Sequence, residues 1–192
     1  MSRREMTVDS ERRAFLASVC AVGGAMLFAP RSARALALHL IAEDVVIVQF
    51  SDNGARIGAA RVAKVEKPEK EWKKQLSQLA FEVTRHGATE YSFTGAYWNN
   101  HEKGLYRCIC CETALFSSVH KFDSGTGWPS FWQPIAAENV IGPLKRHPAA
   151  DETEVTCKRC DAHLGDIFDD GPRPTGLRYC IDSVALRFVK TA

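Results

Sequence analysis

Cys108-Ile109-Cys110-Cys111 and Cys157-Lys158-Arg159-Cys160 each contain a C-x-x-C turn, with 45 residues between the two stretches. A turn of this kind aims two thiolates at one point, and two turns supply the four soft ligands of a closed tetrahedral zinc site. Four protein ligands leave no open position for water. A zinc held by Cys108, Cys111, Cys157 and Cys160 would therefore tie two hairpins together without activating a nucleophile. Cys110 sits among these residues, but its single-residue spacing from Cys108 is less favourable and makes Cys111 the expected ligand. Two other readings of the pairs stand beside zinc: disulfides in an oxidising compartment, or a redox-active dithiol.

Outward from the cysteines the texture is that of a β domain. After about Thr94, short apolar or aromatic pieces alternate with Gly, Pro, Asn and Asp clusters at 99–104, 123–129 and 169–176, as in an antiparallel β domain with substantial loops. Upstream, the stretch from Pro68 to Glu82 places Trp72, Leu76 and Leu79 at helical spacing and predicts one helix. Earlier still, Val45 to Phe50 reads as a strand and Ser51-Asp52-Asn53-Gly54 as a turn. A second short apolar segment follows, which predicts a hairpin that pairs onto the main domain. The expected organisation is one mainly-β domain over 67–192 with a helical entry segment, preceded by an extension over 36–66.

The first 35 residues have a different character. Arg12-Arg13 stands directly before an uncharged apolar stretch from Phe15 to Ala29, and Ala33-Arg34-Ala35 follows it. A charged start, a short apolar middle and an A-x-A site describe a secretory signal peptide. The Arg-Arg-x-Phe-Leu core is similar to a twin-arginine export signal, which implies a periplasmic location in a bacterium. Fifteen apolar residues fall short of the roughly 20 that span a bilayer, so no stable membrane span is expected once the signal is removed. The whole chain has 25 Lys plus Arg and 23 Asp plus Glu, for a net charge of +2. Residues 1–35 hold six of the basic and three of the acidic groups, so the remainder carries 19 and 20 and a net charge of −1. A nucleic-acid binder working through a strong positive field is excluded. An apolar content of 45% with ten Phe and four Trp excludes a disordered chain.

One mature cysteine stands apart from the metal set and from Cys110. Cys180 lies in Leu177-Arg178-Tyr179-Cys180-Ile181-Asp182, and the whole stretch from Leu177 to Phe188 reads as a strand. Period two puts Arg178, Cys180 and Asp182 on one face. Arg178 would favour the thiolate and Asp182 would oppose it. A reactive thiol and a buried structural cysteine are both consistent with this spacing.

Further words narrow the choice. Phe122-Asp123-Ser124-Gly125-Thr126-Gly127-Trp128-Pro129-Ser130-Phe131, Cys160-Asp161-Ala162-His163-Leu164-Gly165, Asp170-Gly171-Pro172 and Arg178-Tyr179-Cys180 resemble the methionine-R-sulfoxide reductase B family. So do Glu82-Val83-Thr84-Arg85 and Tyr97-Trp98-Asn99-Asn100-His101, and the resemblance runs in order from about Trp72 to Phe188. It implies a mainly-β fold of small twisted antiparallel sheets around a four-cysteine zinc site, and reduction of the R epimer of methionine sulfoxide. Cys180 takes the catalytic position, with thiolate attack on the sulfoxide sulfur leaving a sulfenic acid. Trp128 matches the tryptophan that packs on the substrate methyl group, and His163 and Arg178 match positions that orient or protonate the sulfoxide oxygen. The implied partners are proteins or peptides containing methionine sulfoxide, and a thioredoxin-like or other thiol reductant.

Three residues depart from the family pattern. Asp166 and Asp182 stand where many members have histidine and asparagine, so two carboxylates are expected to raise the Cys180 pKa unless one is protonated and acts as the acid. An altered pH optimum is the expected consequence. Thr126 stands where a resolving cysteine is common, which predicts direct reduction of the sulfenic acid by an external thiol. Beside this reading stand two others: a non-catalytic zinc-ribbon-like binding module on the same fold, and a general thiol–disulfide oxidoreductase working through the C-x-x-C pairs.

Overall fold

A computed structural model describes residues 43–143 and 153–191. The arginine-pair leader, its A-x-A site and Cys20 lie outside the described residues. Strands β1 (Asp44–Phe50) and β2 (Arg56–Ala63) form the expected hairpin, with Gly54 supplying a positive φ in the turn. Helices α1 (Glu69–Gln75) and α2 (Gln78–His86) follow. Strands β3 (Gly104–Cys108), β4 (Ala114–Ser117) and β11 (Leu186–Lys190) make a three-stranded sheet in the order β11-β3-β4. A six-stranded sheet runs β5 (Lys121–Phe122), β6 (Ser130–Phe131), β10 (Arg178–Ile181), β9 (His163–Phe168), β8 (Glu154–Cys157), β7 (Val140–Ile141). Every pairing is antiparallel, so the mainly-β expectation of small antiparallel sheets holds.

Two elements differ from the sequence reading. The single helix expected over 68–82 is two helices, because Leu76 takes an extended conformation and buries its side chain while Ser77 starts a new helix. The Ser77 hydroxyl accepts the Ala80 N–H at 3.2 Å, an N-cap that satisfies a donor the first turn would otherwise leave free. The continuous strand expected over 177–188 is broken after Ile181, where a 3₁₀ turn over Ser183–Ala185 carries the chain from the six-stranded sheet into the three-stranded one. The break has a cause: the Ser183 and Val184 amides bond to a buried carboxylate instead of to a neighbouring strand.

Aromatic side chains join the two larger sheets. Phe116 of β4 stacks on Phe131 of β6 at 4.5 Å, Tyr106 of β3 meets the same ring edge-on at 5.0 Å, and Tyr179 of β10 closes on Phe116 at 5.8 Å. Rings of this size dominate the apolar area removed from water. On β10, Tyr179 and Ile181 point into this core, which leaves Arg178 and Cys180 on the opposite face. The hairpin is fastened separately. Asn139, fully buried, accepts the Val48 N–H at 2.7 Å and donates to the Val48 and Ala114 carbonyls at 2.8 and 2.7 Å. Arg107 adds bonds of 2.9 Å to the Phe50 carbonyl and to Asp52.

Candidate active site and metal centre

The two C-x-x-C turns fold alike. In each, the residue after the second cysteine has a positive φ, Glu112 at 64° and Asp161 at 52°. Its N–H returns to the carbonyl of the first cysteine at 2.9 Å, Glu112 to Cys108 and Asp161 to Cys157. The N–H of each first cysteine then bonds across the turn, to Thr113 at 2.8 Å and to Ala162 at 2.9 Å. This repeated knuckle is what turns both thiols of a pair inward. The sulfurs of Cys108, Cys111, Cys157 and Cys160 all lie within 4.8 Å of one another and all four residues are buried. Cross-pair distances are 3.6 Å for Cys108 to Cys160 and 3.5 Å for Cys111 to Cys157.

These distances decide between the readings of the cysteines. A disulfide needs an S–S length of about 2.04 Å, and every described cysteine is a free thiol. Four sulfurs bound to one zinc at about 2.3 Å stand roughly 3.8 Å apart, which the cluster nearly matches. The donor set fits a metal, and Cys111 is the second ligand of its turn, as expected. Burial of 0–9% exposure on these four thiols also removes them from a dithiol-exchange role that needs access. The helices brace the knuckles: Arg85 donates to the Cys160 carbonyl at 2.8 Å and Gln75 to the Cys110 carbonyl at 2.8 Å. Cys110 is buried in the same knuckle, beside Thr84 and Arg85.

The second centre is built on the face of the six-stranded sheet opposite the core. Cys180 is the cross-strand partner of Ser130 on β6 and of Asp166 on β9, and Asp166 is in turn the partner of Glu154 on β8. Directly opposed residues share a face with Cβ atoms about 4.5–5.5 Å apart, so Ser130, Cys180, Asp166 and Glu154 form one row across four strands. Gly165 makes the close pairing of β9 with β10 attainable: a Cβ there would lie 2.1 Å from the Cys180 carbonyl oxygen. Thr126 hydrogen-bonds the Cys180 sulfur, and Thr126, Ser124 and Ser130 are linked by hydroxyl bonds of 2.8 and 2.7 Å.

Arg178 shares the Cys180 face, as period two required. Its guanidinium grips Asp170 through two bonds of 2.8 Å and stacks over the Phe168 ring at 4.4 Å. That hold keeps the Asp170 carboxyl below the usual carboxylate range and fixes the positive charge beside Cys180. Burial nevertheless pushes the Cys180 thiol up, with Asp182 and Asp166 adding to the rise and Arg178 and the Thr126 hydroxyl opposing it. His163 sets its Nδ1 at 2.9 Å from Glu154, with its side chain 12% exposed. Trp128 is half-buried and donates its Nε1 to the Glu90 carbonyl at 3.2 Å.

Asp182 follows the strand with an extended backbone, φ −67° and ψ 128°. It opens the 3₁₀ turn, is 2% exposed, and accepts the Glu90 N–H at 2.9 Å. Burial, then the Glu90 and Asp166 charges, push its carboxyl up to about 6, against the pull of the Glu90 amide and of His163. Glu90 itself was not singled out by the sequence. It is 3% exposed, and its two carboxylate oxygens accept the Ser183 and Val184 amides at 2.7 and 3.1 Å. One residue thus holds Asp182 by its N–H, Trp128 by its carbonyl and the 3₁₀ turn by its side chain. The nearby Gly95 has no room for a side chain, since a Cβ would lie 2.3 Å from Glu90 Oε1 and Ser183 Oγ. No local pattern marks Glu90, because its partners lie 38 to 94 residues away along the chain.

Residues 76–190 match the model of the SelR domain. The chain is 52% identical over 128 residues to the peptide methionine sulfoxide reductase MsrB of Herminiimonas arsenicoxydans, covering 67% of this chain and 93% of that protein. It is 49% identical over 125 residues to the MsrB of Hahella chejuensis, covering 65% and 90%. With the MsrB of Pseudomonas aeruginosa the identity is 48% over 128 residues, covering 67% and 97%. A paired-knuckle thiol cluster, an accessible thiol on a separate sheet face and a match across most of the described chain agree, and the protein belongs to the SelR-domain family, that of the MsrB methionine sulfoxide reductases.

Proposed function

We propose that the protein reduces methionine-R-sulfoxide in peptides or proteins to methionine, with Cys180 as the nucleophile. The observation that carries this reading is the placement of Cys180. Among the described cysteines it is the one outside the buried knuckles, and it is partly exposed beside a fixed guanidinium. Its sulfur attacks the sulfoxide sulfur, the oxygen is transferred, methionine leaves and Cys180 becomes a sulfenic acid. Trp128, braced by Glu90, offers an apolar wall to the methyl and thioether end of the substrate. Arg178 supports the thiolate, and its role toward the oxygen is electrostatic, because its donors on one edge are already engaged with Asp170.

Regeneration then falls to an external thiol reductant such as thioredoxin. Thr126 beside Cys180 offers no second sulfur, and the remaining described cysteines are buried in the knuckles. Zinc in the four-thiol site would supply a cross-link between the two knuckles and take no part in the reaction. The arginine-pair leader supports export, so the substrates would be oxidised proteins of a bacterial periplasm. Among the described residues no helix is long and apolar enough to cross a membrane.

The test is stereospecific turnover with dithiothreitol as reductant. Reduction of the R but not the S sulfoxide, abolished by Cys180→Ser with one zinc per chain retained, is the expected result. Persistent turnover in Cys180→Ser would refute the assignment.

A further inference from the structure

On the reductase reading, two aromatic side chains beside Trp128 are still without a role. Tyr91 is 86% exposed, more than any other large apolar side chain among the described residues, and Phe93 is 53% exposed. Single apolar residues in water are ordinary, but a pair of open rings next to a reactive group marks a contact surface.

The segment from Glu90 to Thr94 is fastened along the loop that carries Thr126 and Trp128. The Glu90 carbonyl accepts Trp128 Nε1 at 3.2 Å, and the Phe93 N–H donates to the Gly127 carbonyl at 2.8 Å. The Phe93 ring lies on Gly127 itself: a Cβ at that glycine would stand 2.7 Å from Phe93 Cδ2. Phe93 therefore covers the residue between Thr126 and Trp128. Thr126 is tied through the Ser124 hydroxyl to Ser130, the cross-strand partner of Cys180. Phe93 holds this place at φ 64°, a left-handed conformation that bulky side chains rarely take. Among the described residues two other non-glycine residues have a positive φ, Glu112 and Asp161, and the cysteine knuckles account for both. Backbone strain of this kind persists where the surroundings enforce it, and it gathers at ligand-binding sites. The Phe93 ring also meets Trp98 edge-on at 5.3 Å, which fixes its position further.

Tyr91 is held by its backbone alone. Its carbonyl accepts the Thr94 N–H at 3.3 Å and the Thr94 hydroxyl at 2.7 Å. Its ring packs on no other ring among the described residues. A tyrosine so placed offers a large contact area with only two side-chain torsions to order on binding.

Resting on the reductase reading, we propose that Tyr91 and Phe93 form an aromatic rim that binds the residues flanking the sulfoxide in a peptide chain, so that sulfoxides set between apolar or aromatic neighbours are preferred. Trp128 takes the methyl and thioether end of the sulfoxide, and the rim, continuous with it, takes the chain on which the sulfoxide is carried. Ser92 and Thr94 complete the segment with neutral groups, which suits apolar neighbours better than charged ones. Free methionine sulfoxide brings no neighbour to the rim and gains nothing from it.

The test compares kcat/KM for two blocked tripeptides, N-acetyl-Phe-methionine-R-sulfoxide-Phe-amide and its Gly-flanked counterpart. Dithiothreitol serves as reductant, so no protein reductant competes for the same surface. The native enzyme is expected to favour the Phe-flanked peptide about fivefold, mainly through KM. Tyr91→Ser and Phe93→Gly should each bring that ratio towards one, and Tyr91→Phe should keep it. Glycine adopts a positive φ without strain, so a ratio lost in Phe93→Gly reports on the ring and not on the backbone. Thermal melting checks that each variant is folded. A native ratio near one, a ratio kept in Tyr91→Ser or Phe93→Gly, or a ratio lost in Tyr91→Phe would overturn the rim and leave the reductase assignment standing. A ratio unmoved in Tyr91→Ser with a raised KM for thioredoxin would give this surface to the reductant and overturn the rim as well. No turnover of either peptide by the native enzyme would overturn the reductase reading, and the rim with it.

Discussion

Asn139→Ala tests how the N-terminal hairpin is held to the catalytic domain. Asn139 is fully buried and satisfies three main-chain groups at 2.7–2.8 Å: the N–H and carbonyl of Val48 and the carbonyl of Ala114. Truncation leaves all three without their partner in an interior that also buries Val45, Ile47 and Val48. A buried polar group left unpaired costs about 1–3 kcal/mol. Three groups, with partial relief from water entering the space, give a loss of about 4 kcal/mol. For a chain of this size each kcal/mol lowers Tm by roughly 2–4 °C, so a fall of about 8–16 °C is expected. Thermal unfolding followed by circular dichroism gives the number, and hydrogen exchange at the Val48 amide shows where it arises. That amide should lose protection far more than the amides of β9 and β10. A Tm within about 2 °C of the native value, with Val48 still protected, would refute the reasoning. Asn139→Asp keeps the acceptor but loses both donors and faces two carbonyls with a charge, so its loss should be at least as large.

Three other outcomes follow from the same structure. A zinc held by the four buried thiols would cross-link the two knuckles, so stripping it with a strong chelator should lower Tm and abolish activity with Cys180 chemically intact; a metal-free protein of unchanged Tm would contradict the structural role. Thr126→Val removes a hydroxyl that stabilises the Cys180 thiolate, so the thiol pKa should rise and iodoacetamide alkylation at pH 8 should slow several-fold. An unchanged rate would show that the bond does not bear on the thiol. Asp182 has a folded pKa of about 6 against a usual value of 3.8, so its stabilising contribution is complete below the unfolded value and is lost as pH rises through 6. Asp182→Asn should therefore raise stability at pH 8, by up to about 3 kcal/mol, and change it little at pH 4. A gain of equal size at both pH values would contradict that sign.

Several features were legible without a structure because their cause is short in sequence. The C-x-x-C knuckles close within five residues, so spacing pointed to Cys108, Cys111, Cys157 and Cys160 as the expected ligand set, and the clustering of their sulfurs decided against disulfides. The 45–50 strand and its 51–54 turn rest on apolar alternation and a glycine of positive φ. The period-two face that joins Arg178 to Cys180 is likewise local. The helix over 68–82 was legible as helix but not as two, since a single capping serine decided where the second begins.

What tertiary structure alone decided lies between residues distant along the chain. Alternation puts Cys180 on a face, but only the register of β6, β10, β9 and β8 sets Ser130, Asp166 and Glu154 in a row with it. The end of β10 at Ile181 is set by Glu90, whose carboxylate draws the Ser183 and Val184 amides out of the strand. The sequence by itself determined which groups are present and how each is turned locally. Their chemistry is decided by burial and by partners brought together from about 90 residues apart, and a local pattern carries neither.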